Sequence, residues 1–121
     1  MDHIHTAHTF LRAARAGDVA TAKSLVTPDA RHHNMYFPAG MDVLIDAIAA
    51  ASVSFPHSTF TPKHVVANAD MVVIHSHVTH TIGDVGMTVF HMFRFENGLI
   101  AELWDVGQAI APDSPNSDGM F

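Results

Sequence analysis

Residues 87–108 read MTVFHMFRFENGLIAELWDVGQ. Asn97-Gly98 decides this stretch, because a two-residue hairpin loop needs positive φ at both central positions and those residue types tolerate it. Strands are therefore expected over Met87–Phe95 and Leu99–Gln108. Working backward, Gly83-Asp84-Val85-Gly86 is a turn and Met71–Thr81 a Val/Ile/Thr-rich strand. Asn68-Ala69-Asp70 is the next turn, and Thr59–Ala67 a strand whose Pro62 marks a sheet edge or a bulge. The first half reads helical. Ile4, Ala7, Leu11 and Ala14 recur at helical spacing after a cap at Asp2, and Gly17 suits a left-handed helix end. Asp18 caps a second helix running to Val26, ahead of Pro28. Ala30–Tyr36 reads as a short strand, Pro38-Ala39-Gly40 as a turn, and Asp42 as the cap of a third helix burying Leu44, Ile45, Ile48 and Ala49. Three helices and a long antiparallel sheet define an α+β domain, with a pocket between helix and curved sheet.

Composition narrows the function. A chain of 121 residues has room for one core. The expectation is a single domain over 1–110 and an irregular tail over 111–121. No cysteine is present, so thiol nucleophiles, thiolate metal sites and disulfides are excluded. Six Lys and Arg against 12 Asp and Glu argue against a nucleic-acid partner, which needs a basic face. The longest apolar stretch, Met41–Phe55, is interrupted by Asp42, Asp46, Ser52 and Ser54, so no membrane partner is expected and a cytoplasmic location is the default. Eleven histidines are the anomaly. No Gly-rich phosphate loop appears, and no cofactor is expected.

Several pieces together make a resemblance. Arg31-His32-His33-Asn34, Asp70–His77, Gly86-Met87, Phe93–Gly98, Glu102–Gln108 and the terminal Asn116–Phe121 resemble the SnoaL-like, polyketide cyclase-related group of the nuclear-transport-factor-2-like superfamily. That resemblance implies a cone-shaped, curved antiparallel sheet packed around N-terminal helices, a cystatin-like α+β barrel. It also implies a homodimer and a small apolar organic ligand. The superfamily spans cyclases, isomerases, hydrolases, dehydratases and non-catalytic binders, so the chemistry rests on the site. The sequence departs from the group at His91, where an acid is usual, at Leu103, where a histidine is usual, and at Met35, where a proline is usual.

Strand alternation sorts the candidates. Met87, Val89, His91, Phe93 and Phe95 share a face; Ala101, Leu103 and Asp105 share another, opposite Ile100, Glu102, Trp104 and Val106. The resemblance to a steroid isomerase of the superfamily makes the His91 and Asp105 faces concave and Trp104 outward. Asp105, among Leu103, Phe93 and Val89, is then a desolvated carboxylate suited to act as a base. His91 is placed to polarise a carbonyl oxygen or pair with Asp105. His33 is the third catalytic candidate, sharing a proton with Asp105. Asn34 would orient a ligand carbonyl, although alternation sends only one of His33 and Asn34 inward. His75, His77, Tyr36 and Phe60 complete the expected ligand-binding set with Val89, Phe93 and Leu103. Met35, Phe37, Met41 and Phe55 are expected at the mouth or in the core, and His3, His5 and His8 on a solvated helix surface.

Three functions follow. The first is acid–base catalysis, an aldol-type cyclisation or isomerisation of an apolar carbonyl compound. The second is a hydrophobic-ligand module without turnover. The third, a metal site on His75, His77 and His91, lacks the glycines and glutamate of cupin-type motifs, and no metal is assigned. An outer sheet face carrying Ile74, Val78, Phe90, Met92 and Trp104 is the expected dimer contact.

Overall fold

Asp2 accepts from the His5 backbone N–H and starts α1 (His3–Arg15); Gly17, at φ +79°, turns the chain, and Asp18 caps α2 (Val19–Ser24) through the Thr21 N–H. Strand β1 (Val26–His32) and helix α3 (Met41–Ser54) follow. Four strands close the chain: β2 (Thr59–Ala67), β3 (Met71–Thr79), β4 (Met87–Glu96) and β5 (Leu99–Ala109). The computed structural model describes residues 2–121. Its five strands form one open, curved sheet in the order β1-β5-β4-β3-β2, and the α+β cone is not closed into a barrel.

Several boundaries differ from expectation, and α2 ends at Ser24, not Val26, which already belongs to β1. The first strand spans Val26–His32, not Ala30–Tyr36, and runs parallel to β5. The Ile100 N–H donates to the Leu25 carbonyl, so pairing begins before Pro28, and the register slips between Val26 and Arg31, the stretch that contains this donor-less residue. Helix α3 is entered through Gly40 at φ +111°, while Asp42 lies in its first turn, where a negative charge meets the positive end of the helix dipole.

The pairing of β3, β4 and β5 sets which side chains enter the core. Val72 lies opposite Phe93, Ile74 opposite His91, and Ser76 opposite Val89. Across the other edge of β4, Phe93 lies opposite Leu103 and His91 opposite Asp105. Directly opposed residues share a face, so all of these point toward the helices. Phe10, Leu11, Leu44 and Ile45 meet Ile74, Phe93 and Leu103 in one buried cluster. Ile4, expected on that face, is exposed instead, and Phe10 takes the contact, edge-on to Phe93 with centroids 6.0 Å apart.

The same parity corrects the outer face. Ile74 and Val78 point inward and are buried, whereas Phe90, Met92 and Trp104 point outward. Ile100 is also a core residue, although it was grouped with Trp104. An extra residue explains it: Arg94 pairs with Glu102 but Phe95 with Ile100, so Ala101 is a bulge that resets the alternation.

Strand β2 is an edge strand, and its register slips between Pro62 and His64, so Pro62 marks both an edge and an irregularity. Residues 111–121 hold no helix or strand, and Phe121 lies against His75 and His77 on the outer face.

Because Phe93 is fully buried against Phe10, Phe93→Ala is expected to lower unfolding free energy by about 3–5 kcal/mol. Phe90→Ala, three residues earlier on the same strand and therefore on its opposite, half-exposed face, is expected to lose far less. Urea titration of both variants checks the assigned faces.

Candidate active site

A cavity of about 520 Å³ opens between α1, α3, the loop after β1 and the concave side of the sheet. That volume suits a small organic molecule. Its wall is mostly apolar: Leu11, Ile48, Phe60, Val78, Met87 and Val89 contribute. Its polar lining residues include Arg15, His33, Asn34, His80, His91 and Asp105.

Asp105 stands on β5 opposite His91 on β4. The His91 Nε2 lies 3.6 Å from Asp105 Oδ1, beyond hydrogen-bond length, so the pair is aligned without being closed. Asn34 Nδ2 donates to the other oxygen, Asp105 Oδ2, at 2.8 Å, while Asn34 Oδ1 accepts from the Tyr36 N–H. Both ends of the amide are thus committed to the protein. Asn34 positions the carboxylate and leaves Oδ1 as the oxygen that faces His91.

His32 holds the loop carrying Asn34. Its Nδ1 accepts from the Asn34 N–H, so the ring proton sits on Nε2, which donates to the Pro38 carbonyl at 2.8 Å. Met35, Tyr36 and Phe37 on the same loop form the rim.

His91 is buried, and its Nδ1 has no partner among the described residues. Burial pushes the imidazole below the ordinary histidine range; Asp105 pulls it back up, and the positive charge of Arg15 pushes it down again. The net direction is downward, so at neutral pH the ring is an uncharged donor or acceptor.

The other expected residues fall in three groups. Val89 and Phe60 line the cavity, and Tyr36 lies at its exposed mouth. Phe93 and Leu103 sit beneath it, fully buried in the core, with Phe93 6.2 Å from the His91 ring centre. His33 borders the cavity but commits its Nε2 to the outer face, and His75 and His77 turn away. The His33 Nε2 donates to Glu102 Oε2 at 2.6 Å and its ring stacks on Trp104, so its proton is not shared with Asp105. The strand expected to carry His33 has already ended at His32, and its partner Glu102 opposes Arg94 on the outer face. His75 and His77 oppose Phe90 and Thr88, one register position from the inward residues. The His75 Nε2 pairs with Thr88 Oγ1, and its Nδ1 with His64. These two histidines therefore cannot converge with His91 on one metal ion, and among the described residues no group of three potential ligands is gathered.

Arg15 was missed. It lies four residues after Leu11 and so on the same helix face, a spacing that flags an inward-facing cation.

The comparisons with known proteins agree with this architecture. The fold is that of the nuclear-transport-factor-2-like and cystatin-like α+β proteins. An uncharacterised cystatin-fold protein from Novosphingobium aromaticivorans superposes with a TM-score of 0.71 at 24% identity, covering 88% of this chain and 98% of that one. IdmH, a proposed polyketide cyclase from Streptomyces antibioticus, superposes with a TM-score of 0.68 at 25% identity, covering 86% and 90%. A nuclear-transport-factor-2-like protein of unknown function from Cytophaga hutchinsonii gives 0.67 at 10% identity, covering 85% and 87%. No curated protein matches the sequence at a significant level. Residues 7–103 match the SnoaL-like domain, and the chain belongs to that family.

The direction at His91 has a consequence for stability. A ring kept neutral when folded regains its ordinary proton affinity when unfolded, so below about pH 6.5 the unfolded state binds more protons. Stability is whole above that pH and declines as the pH falls through it. His91→Phe is expected to flatten part of this decline, while His8 and His75, shifted in the same direction, retain theirs. Urea midpoints between about pH 7.5 and about pH 5 measure the difference.

Proposed function

We propose that the cavity is the active site of an enzyme acting by acid–base chemistry on an apolar carbonyl compound. The observation that carries this reading is the Asp105–His91 pair, held 3.6 Å apart in the wall of a mostly apolar cavity. A carboxylate kept from water costs free energy unless paired or used, and here one oxygen is left without a closed hydrogen bond.

The chemistry follows from the two groups. Asp105 removes a proton from a carbon beside the carbonyl, and the electron pair moves onto the carbonyl oxygen. A hydrogen bond from His91 Nε2–H stabilises that oxygen as its charge grows. The enolate carbon then attacks a second carbonyl of the same molecule, forming the ring bond of an aldol cyclisation while the first C=O re-forms, and the proton held by Asp105 passes to the new alkoxide. In an isomerisation, Asp105 returns the proton to a different carbon. Asn34 keeps Asp105 oriented throughout. This division of labour between base and oxyanion donor parallels ketosteroid isomerisation. A structural neighbour supports the reading, since IdmH, 25% identical to this chain, is a proposed polyketide cyclase. A cytoplasmic location and the organisation as one domain over 1–110 with a tail are part of the proposal.

A simple ketone with acidic α-protons, 2-tetralone, tests it in D₂O. The protein is expected to accelerate deuterium exchange, and Asp105→Asn to lower that rate by about 10²–10⁴-fold without loss of binding. Binding of the ketone with no acceleration by the parent protein would replace the enzyme with a ligand-holding module.

The outer face supports a homodimer. Phe90 is 48% exposed and Val106, directly opposite on β5, 65%; with Met92 and Trp104 they form an apolar strip on β4 and β5. Native mass spectrometry is expected to show twice 13.1 kDa for the parent and a single chain for Phe90→Glu. A parent spectrum of single chains only would remove the dimer from the proposal.

A further inference from the structure

Two arginines end α1, and they do different things. A cation in the last turn of a helix is favoured by the dipole, and Arg12 satisfies that role from the surface, its Nη2 donating to Thr9 Oγ1. Arg15 turns inward instead. Its guanidinium carbon lies 5.2 Å from the centre of the Phe60 ring, and its Nη2 donates to Ser58 Oγ at 3.1 Å. It lines the main cavity and both smaller cavities beside it.

No carboxylate pairs with it among the described residues. Lys23, Arg31, His33, His91 and Arg94 each have an acidic neighbour; Arg15 does not. A half-buried cation without a counter-charge is costly. One hydrogen bond to a serine and one ring face leave most of the five guanidinium N–H donors unused. Burial also weakens its hold on the proton, though not enough for an arginine to lose it.

Asp105 is already engaged by Asn34 and aligned with His91. An anion that pairs with Arg15 would therefore come from outside the chain. A planar, forked cation matches a carboxylate better than any other small anionic group on an organic molecule.

We infer that Arg15 is a specificity-determining residue that binds a carboxylate on the ligand, so that the cavity accepts an apolar carbonyl compound bearing an acid group. This rests on the cavity being a ligand site as proposed above. Phe60, held under the guanidinium, presents an apolar surface to the ligand body beside that anchor. Ser58 fixes the fork from the side. The acid group then fixes which carbon of the ligand stands before Asp105.

The test uses 2-naphthoate and its neutral methyl ester, titrated calorimetrically against the parent protein, Arg15→Met and Arg15→Lys. The parent is expected to prefer the acid over the ester by about tenfold or more. Arg15→Met should abolish the preference while leaving ester binding intact, and Arg15→Lys should keep part of it. Thermal melts confirm folding, and Arg15→Gln takes the place of Arg15→Met if that variant does not fold. Equal binding of acid and ester by the parent overturns the Arg15 assignment and leaves the apolar cavity standing. An equal loss of both ligands in Arg15→Met or Arg15→Gln also overturns it, showing that Arg15 only supports the wall. If neither compound binds the parent, the ligand-site reading and the Arg15 assignment fall together.

Discussion

One extra residue in β5 governs the site. A two-residue loop at Asn97-Gly98 pairs Glu96 with Leu99 and Phe95 with Ile100. Continued without interruption, that register would set His91 opposite Trp104 and carry Asp105 to the outer face. Ala101 interrupts it. Beyond the bulge Arg94 pairs with Glu102, Phe93 with Leu103 and His91 with Asp105. The bulge therefore keeps Ile100 in the core, turns Glu102 out and brings Asp105 in. Strand β1 accommodates the same shift from the other side of β5, where its pairing jumps between Val26 and Arg31.

Much of this was legible because local rules were obeyed locally. Asn97 and Gly98 both take positive φ, as the hairpin requires, and Asp2, Gly17 and Asp18 each do the capping or turning their types suggest. That Val89 to Phe95 on β4 share one face could be read by simple alternation, since β4 has no bulge of its own and is paired on both sides; that this face is the concave one came from the family resemblance. Asp105 was assigned inward only through family resemblance; counting from Ile100 would have misled, because the bulge at Ala101 leaves no mark in composition.

What stayed hidden was non-local. On β3, Ile74 and His75 are equally plausible core residues by type, and only the opposing of Ile74 and His91 settles which one turns in. His33 looked like a companion for Asp105 because both were expected near the cavity. Glu102, buried on the outer side and held as a carboxylate first by the His33 hydrogen bond and then by Arg94, draws that ring away. Arg15 was concealed by its setting: a basic residue in the last helical turn has an ordinary explanation, which Arg12 alone fulfils.

The histidines show how far side-chain chemistry depends on that geometry. His32 spends both ring nitrogens clamping the loop that carries Asn34, and so acts on Asp105 from a distance. His33 gives its Nε2 to Glu102 on the outer face, and His75 spends both ring nitrogens there. His91 is the buried imidazole that reaches the cavity beside a carboxylate, and it does so with one nitrogen unpartnered. A neutral ring there is secured by burial and by the nearby charge of Arg15, against the pull of Asp105. The arginine thus has two effects on one cavity. It lowers the proton affinity of the group that would donate to a growing oxyanion, and it leaves an unmatched positive charge for a ligand to meet. Both depend on Arg15 facing inward from α1, and neither requires it to touch the reacting carbon.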